Sequence, residues 1–465
     1  MTYRWLFRVW AFVCEICVCK RTHDTREILP NRFNRLFYRG IKKTADYPYL
    51  KILRFTLVFV SSWPCTEIGE KESRRLHMYI QHGYLISIFI YFAAGICYLV
   101  THYSTLNFFE LGLSYIIALI QMVQLSRVTT LTLSKEYRDL AADYLTKFHL
   151  FFYKDLSEFA MKTHRQIHLL SHVFTLFLTA QMIAGLFLFN LIPMYSNYAA
   201  GNYKRNRMAN SSFEHSIYFS YPFNVSTNVN GYIFSLLVNW FLSYVSSIWF
   251  CMFDLFLSLM VFHLWGHFKI LIDKLINFPK PNSKTNIEEN GLTMTTVVYS
   301  EEELLDVAEK LKECINYHRE IIHFTDRMSE VFGPMLFVYY VFHQASGCLL
   351  LLECSAMTTK ALVRYLPLTI ILFQQLIQLS VVFELVGSES EKIKDAVYGI
   401  PWESMDTNNR KVVHFFLMNV QEPVHVKALG LAAVGVTSMA AVRFSSTVFI
   451  SSLLDIFQKN VYQVG

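Results

Sequence analysis

Ala396-Val-Tyr-Gly-Ile-Pro-Trp-Glu-Ser-Met-Asp406, Asn409-Arg-Lys-Val-Val-His-Phe-Phe-Leu417 and Gln421-Glu-Pro-Val-His-Val-Lys-Ala-Leu-Gly-Leu431 form a polar, punctuated segment between two long apolar runs. Moving outward from it, about seven such runs appear, at 84–103, 108–133, 172–193, 232–264, 329–354, 362–387 and 425–457. Each reaches the length of about 20 residues that a helix needs to cross a hydrocarbon core of about 30 Å. The third ends at Pro193, which cannot comfortably continue a helix. The fourth and seventh exceed what a bilayer requires, so part of each is expected to project beyond it.

Composition agrees. The chain has 465 residues, 53% of them hydrophobic and 16% aromatic, with a mean hydropathy of +0.30. A soluble domain could not hide that much apolar surface. Charged residues make up 17%, below the roughly 25% usual in soluble domains. The net charge of +6 is modest and spread over loops, so nucleic acid is not implied. The expected fold is all-α: a polytopic membrane protein with seven transmembrane helices.

Basic residues set the orientation. With the N-terminus inside, the cytoplasmic segments 1–83, 134–171, 265–328 and 388–424 hold 33 of the 42 Lys and Arg. The outer loops 104–107, 194–231 and 355–361 hold 0, 3 and 1. This asymmetry predicts a cytoplasmic N-terminus and an extracellular C-terminus. Two glycosylation sequons, Asn210-Ser-Ser and Asn224-Val-Ser, lie in the same outer loop. A G-protein-coupled receptor, the alternative for seven spans, has the opposite polarity. Its usual disulfide to the second outer loop has no counterpart, because 194–231 contains no Cys. Asp326-Arg327-Met328 precedes span five instead of closing span three. A transporter reading lacks the internal repeat and paired broken helices of many carriers.

The runs Tyr398–Asp406 and Gln421–Leu431 resemble the C-terminal signature of insect odorant receptors, and Gln421–Leu431 is similar to the moth sex-pheromone receptor branch. The resemblance extends from about Tyr47, with specific motif identity concentrated after Phe383. It implies a seven-helix, odour-gated, non-selective cation channel subunit in the plasma membrane of olfactory sensory neurons. It also implies a partner, the odorant receptor co-receptor, in a heteromeric and tetrameric assembly. Cytosolic helices would anchor the subunits, and span seven, 425–457, would form the pore, leaving a short tail at 458–465. No cofactor is implied.

Segments outside the bilayer carry amphipathic patterns that suit such an anchor. Phe268, Leu271, Ile272, Leu275 and Ile276 recur at helical spacing. Residues 279–300 read as a mobile polar loop. Glu301–Arg327 is expected as a helix with Leu304, Ala308, Leu311, Ile315, His318 and Ile322 on one face. Val412, Phe415, Phe416 and Met418 mark another such helix. Near the start, Trp5, Leu6, Val9, Trp10, Phe12 and Val13 suggest an interfacial helix. Cys14, Cys17 and Cys19 read either as reduced thiols or as palmitoylation sites.

No catalytic constellation is present: there is no His-Glu-x-x-His, Gly-x-Ser-x-Gly or Walker loop. His164, His168 and His172 share a helix face, but a metal site needs a further ligand, and a solvated juxtamembrane helix is the expectation. Asp254 is expected at the inner interface, and Glu384 at the inner end of span six.

Span seven is rich in Gly, Ser and Thr, which suits either tight helix packing or a wet path. Read as the pore, as the resemblance implies, it offers Val448, Ser451, an apolar gate at Leu453 and Leu454, and Asp455 favouring cations at the outer mouth. Here Arg443-Phe444 and Val448-Phe449-Ile450 depart from the family's usual Ser-Tyr-Phe or Thr-Tyr-Phe.

A pheromone-like ligand, a long apolar chain with one polar end, needs an apolar and aromatic pocket with few polar anchors. Spans two, three, four and six offer Phe109, Tyr115, Met122, Met182, Phe187, Phe234, Trp240, Tyr244, Phe373 and Gln374.

Overall fold

The protein is described by a computed structural model covering residues 41, 43–70, 74–106, 108–203, 212–289, 292–355, 359–430, 432–436 and 440. A short helix α1, Pro48–Phe59, precedes α2, Arg74–His102, and α3, Phe108–Leu133. Then come α4, Lys135–Asp143, and the long α5, Glu158–Ala199. Next are α6, Val229–Ser247, and α7, Phe253–Ile276, joined by a π-helical turn at Ile248–Met252. The last long helices are α8, Glu301–Ser355, and α9, Thr359–Ser390. Short α10, Ile393–Tyr398, and α11, Thr407–Asn419, follow. Among the described residues, six helical stretches are long and apolar enough to cross a membrane: α2, α3, α5, α6–α7, α8 and α9.

Local chemistry fixes several helix starts. Ser134, Ser157, Asn228 and Asp406 each accept a backbone N–H of the first turn of α4, α5, α6 and α11. Such caps contribute about 1 kcal/mol apiece. Three glutamates in the first turn of α8 oppose the positive end of its dipole. At 1.5 Å per residue, α8 is about 80 Å long, so span five and the preceding amphipathic helix are one continuous rod.

The burial pattern sorts the helices. α7 is the bundle's axis: Phe253 through Phe268 is buried without a break. In contrast α2 turns Ile86, Phe89, Ile90 and Val100 outward, and α6 turns out Ile233, Leu237 and Phe241. Apolar side chains on an outward face suit lipid, not water.

Several expectations need correction. Span three runs past Pro193 to Ala199, since the bundle holds the helix through the proline. The polar stretch after α7, expected as a loop, contains an antiparallel hairpin, Ser283–Glu289 with Leu292–Val298, in an otherwise helical fold. The predicted start of span seven is not helix. Lys427–Ala428 pairs with Ala432–Ala433 around a turn in which Leu429 and Gly430 have φ of 51° and 69°.

This connector packs tightly on α8. A Cβ on Gly333 would lie 2.8 Å from the Lys427 carbonyl oxygen. Lys427 N–H donates to Ser329 Oγ at 3.0 Å, and Val436 N–H to the Glu384 carboxylate at 3.1 Å. The rest of span seven lies outside the described residues, as does the N-terminal segment with Cys14, Cys17 and Cys19.

The amphipathic faces are also rotated from the expected ones. On α8 the buried stripe is Val307, Leu311, Cys314, His318, Ile321 and Phe324, while Ala308 is exposed. On α11 Val413 and Phe416 are buried, while Val412, Phe415 and Met418 face outward. Ile276 is exposed at the end of α7.

Candidate functional site

A cavity of about 270 Å³ lies between α2, α3, α5, α6, α8 and α9. Its walls are mostly apolar: Ile88 from α2, Ile116 and Ile117 from α3, Met182 and Phe189 from α5, Leu242 from α6, Phe342 from α8, and Leu368 and Leu372 from α9. The α5–α6 loop roofs it. Ile217 and Phe219 of that loop are buried with Leu113 and Ile117 in a small core of their own. Polar contacts pin the loop: Asn197 Nδ2 donates to the Glu214 carbonyl at 2.8 Å, and Asn239 Nδ2 to the Ile217 carbonyl at 3.3 Å. His215 Nδ1 lies 2.9 Å from Ser235 Oγ.

The lining is not wholly apolar. Gln121 and Gln124 of α3, Gln181 of α5, Ser243 of α6 and Gln375 of α9 all reach it. Gln181 Nε2 donates to Gln374 Oε1 at 2.7 Å, and Gln374 Nε2 to Gln378 Oε1 at 2.7 Å, so a chain of amides ties α5 to α9. The arrangement suits a small, largely apolar molecule oriented by a few polar contacts.

The family model described as the 7tm odorant receptor matches residues 153–445. The chain belongs to the insect odorant receptor family. Membership makes it a multi-pass membrane protein of the olfactory system and a receptor, not an enzyme.

Odorant receptor 67a of Drosophila melanogaster is 23% identical over 150 residues, covering 32% of this chain and 37% of that receptor. The match thus spans little more than a third of the fly protein's length. The insect olfactory receptor OR5 of Machilis hrabei shares the fold, with a TM-score of 0.67 at 13% identity over 88% of this chain and 98% of that one. The same receptor in complex with eugenol gives a TM-score of 0.64 at 13% identity over 87% and 97%.

In this receptor, Met182 lines the cavity. Gln374 does not, but it holds the lining residue Gln181. Phe187 packs edge-on against Trp240 with ring centroids 5.7 Å apart, and Phe234 packs against Tyr221 and Phe223. Both phenylalanines are half exposed on the outer surface. Tyr244 packs against Phe59. Tyr115, Met122 and Phe373 are half-buried away from the lining. The side chain of Phe109 lies outside the described residues, as do Asn210, Val448, Ser451, Leu453, Leu454 and Asp455. Asn224 is exposed in the roofing loop, its Oδ1 accepting the backbone N–H of Ser226 and Thr227 at 3.0 Å.

Asp254 does not face water. It is buried and ion-paired with Arg127 of α3 at 2.7 Å. Arg127 also donates to the carbonyls of Trp249 and Phe250. Its guanidinium sits 5.0 Å from the Phe250 ring centroid and 5.1 Å from that of Tyr339. The π turn at 248–252 disturbs the regular ladder of helix hydrogen bonds, and the arginine takes up two of its carbonyls. Phe250 lines the cavity on its other side, so the ion pair stands directly behind the wall. Sequence reasoning missed Arg127. The available signal was one Arg in span two and one Asp in span four, opposite charges within apolar runs.

The three histidines on α5 are not a solvated face. His164 and His168 are buried in a cluster of rings with Tyr47, Tyr49, His149 and His263. The Tyr47 hydroxyl lies 2.9 Å from His164 Nε2, and the Tyr49 hydroxyl 2.8 Å from His149 Nε2. Burial, followed by the neighbouring histidines, holds His149 well below the usual imidazole range. Among the described residues no group of three or more His, Cys, Asp or Glu could hold a metal ion.

Proposed function

We propose that this receptor is one subunit of a ligand-gated, non-selective cation channel, assembled with the odorant receptor co-receptor in a tetramer. It opens when a small apolar volatile, of the sex-pheromone type, occupies the cavity. The observation that carries this reading is the largely apolar cavity set between six helices and covered by a loop that is hydrogen-bonded on both sides. A ligand can bias a channel only by binding one state better than the other. Here the cavity touches α8 and α9, the same helices on which the 425–436 connector is seated. Occupancy that shifts α8 or α9 would therefore move the segment leading into span seven, with Leu453, Leu454 and Asp455 as the gate and outer mouth. In this reading the N-terminus is cytoplasmic and seven helices span the membrane.

Co-expression with and without the co-receptor tests it. The expected result is ligand-evoked current only with the co-receptor, unaffected by blocking G-protein signalling. Full responses from the chain alone that vanish under that block would replace the channel with a receptor acting through a soluble transducer.

A further inference from the structure

Several polar groups of the cavity wall have no hydrogen-bond partner among the described residues. Gln121 and Gln124 stand three residues apart on α3, hence on one helix face, and both line the cavity. They are 7% and 5% exposed, yet Gln121 Oε1 and Gln124 Nε2 have no hydrogen-bond partner among the described residues. Ser243 of α6, also lining, is equally buried, and its Oγ is equally unpartnered. Across the cavity Gln181 has its amide N–H engaged by Gln374, while its Oε1 is without a partner. Carboxamides buried without partners are costly in an apolar setting, so a bundle that keeps several around one cavity has a use for them.

We propose that the ligand of this cavity carries a hydroxyl head group, held by Gln121 and Gln124 together with Ser243. The inference rests on the cavity being the ligand site. Gln121 Oε1 offers an acceptor and Gln124 Nε2 a donor, and turning both carboxamides together only exchanges the two roles. A hydroxyl uses both, because it donates one hydrogen and accepts another. An ether, ester or aldehyde only accepts, and would leave the amide oxygens unpaired. A carboxylate finds no free cation among the described lining residues, and Arg127 behind the wall is taken by Asp254. Sites built to hydrogen-bond a hydroxyl reject the analogue lacking it more strongly than apolar walls discriminate a methylene.

The probes are straight-chain 1-alkanols and the methyl ethers and acetates matched to them in chain length. Two readouts are used: current from the receptor with its co-receptor, and thermal stabilisation of the purified full-length receptor in lipid nanodiscs. The expected result is that alkanols act at concentrations at least tenfold lower than the matched ethers and acetates in both. In the double variant Gln121→Leu/Gln124→Leu that ratio should fall to about twofold or less, with the ligand-free melting temperature kept or raised.

Ethers or acetates that match the alkanols, or a double variant that keeps the tenfold ratio, would overturn the head-group assignment. The glutamines would then be merely hydrated. Stabilisation by alkanols without any current would uphold the assignment and defeat the channel reading. Silence of every probe in both readouts would overturn the cavity as a ligand site, and the assignment with it.

Discussion

The cavity wall and the ion pair behind it are both polar places inside an apolar bundle, and they differ in how their polar groups are satisfied. Both terminal amino groups of Arg127 are engaged by protein, a carboxylate and two carbonyls, with aromatic faces around them, and Nε is left without a hydrogen bond among the described residues. On the cavity side of Phe250, Gln121, Gln124 and Ser243 have groups with no hydrogen-bond partner among the described residues. The first arrangement belongs to the scaffold, since it holds the π turn and joins α3 to α7. The second leaves hydrogen-bonding capacity for a guest. Mutations should therefore act on stability at the first and on ligand response at the second.

The sharpest way to break that contrast is Arg127→Met. It strands a buried carboxylate, and removing one partner of a buried pair costs roughly 3–5 kcal/mol. The expected result is a large drop in the melting temperature of the purified receptor, partly recovered in Arg127→Met/Asp254→Leu. No recovery in the double variant would mean that the arginine matters for the π-turn carbonyls more than for Asp254.

Next in size is Gly333→Ala, where the new Cβ meets the backbone of the connector at 2.8 Å. Overpacking of this kind costs about 1–3 kcal/mol. Faster proteolysis between residues 425 and 436 would be the readout, and an unchanged digestion pattern would show that the connector is not seated on α8.

A smaller effect comes from acid. His149 is held neutral in the fold, while in the unfolded chain it takes a proton near pH 6.5. Stability should be fully present above that value and fall as pH drops below it, by about 1.4 kcal/mol per pH unit for one proton. His149→Gln should flatten the slope by about that proton, as read from melting temperatures between pH 7 and 5. An unchanged slope would assign the acid sensitivity elsewhere in the ring cluster.

The smallest effect is expected at the cavity wall. Gln124→Leu removes a carboxamide whose amide nitrogen has no protein partner, so ligand-free stability should change by less than about 1 kcal/mol. A loss comparable to that of Arg127→Met would erase the distinction between the two regions.

Much of this was legible from residue patterns. The apolar runs behind α3 and α9 declare themselves by length, and the observed helices Phe108–Leu133 and Thr359–Ser390 differ little from the expected ones. Pro193 misled because a proline's local cost is outweighed by packing along a helix already held by the bundle. The connector at 427–433 misled because its Ala, Leu and Gly continue an apolar run, while the positive φ at Leu429 and Gly430 follows from docking against Gly333.

The candidate site was less legible. Aromatic residues in membrane spans serve lipid contact and helix packing as readily as a pocket, as Phe187 and Phe234 show. Ile217 and Phe219 sit in a loop, where apolar residues carry no periodic signal of the cavity they cover. Arg127 and Asp254 are 127 positions apart, and their pairing exists only in the folded bundle.

The most direct test of the account is to fill the cavity. Ile117→Trp and Met182→Trp place bulk into the wall from α3 and α5. Each should be recorded beside the parent with the co-receptor, surface expression being measured on the same cells. Surface-expressed Trp variants should lose at least tenfold in ligand sensitivity. Dose–response curves that overlay the parent's at equal surface expression would contradict it, and would place the ligand outside the six-helix cavity.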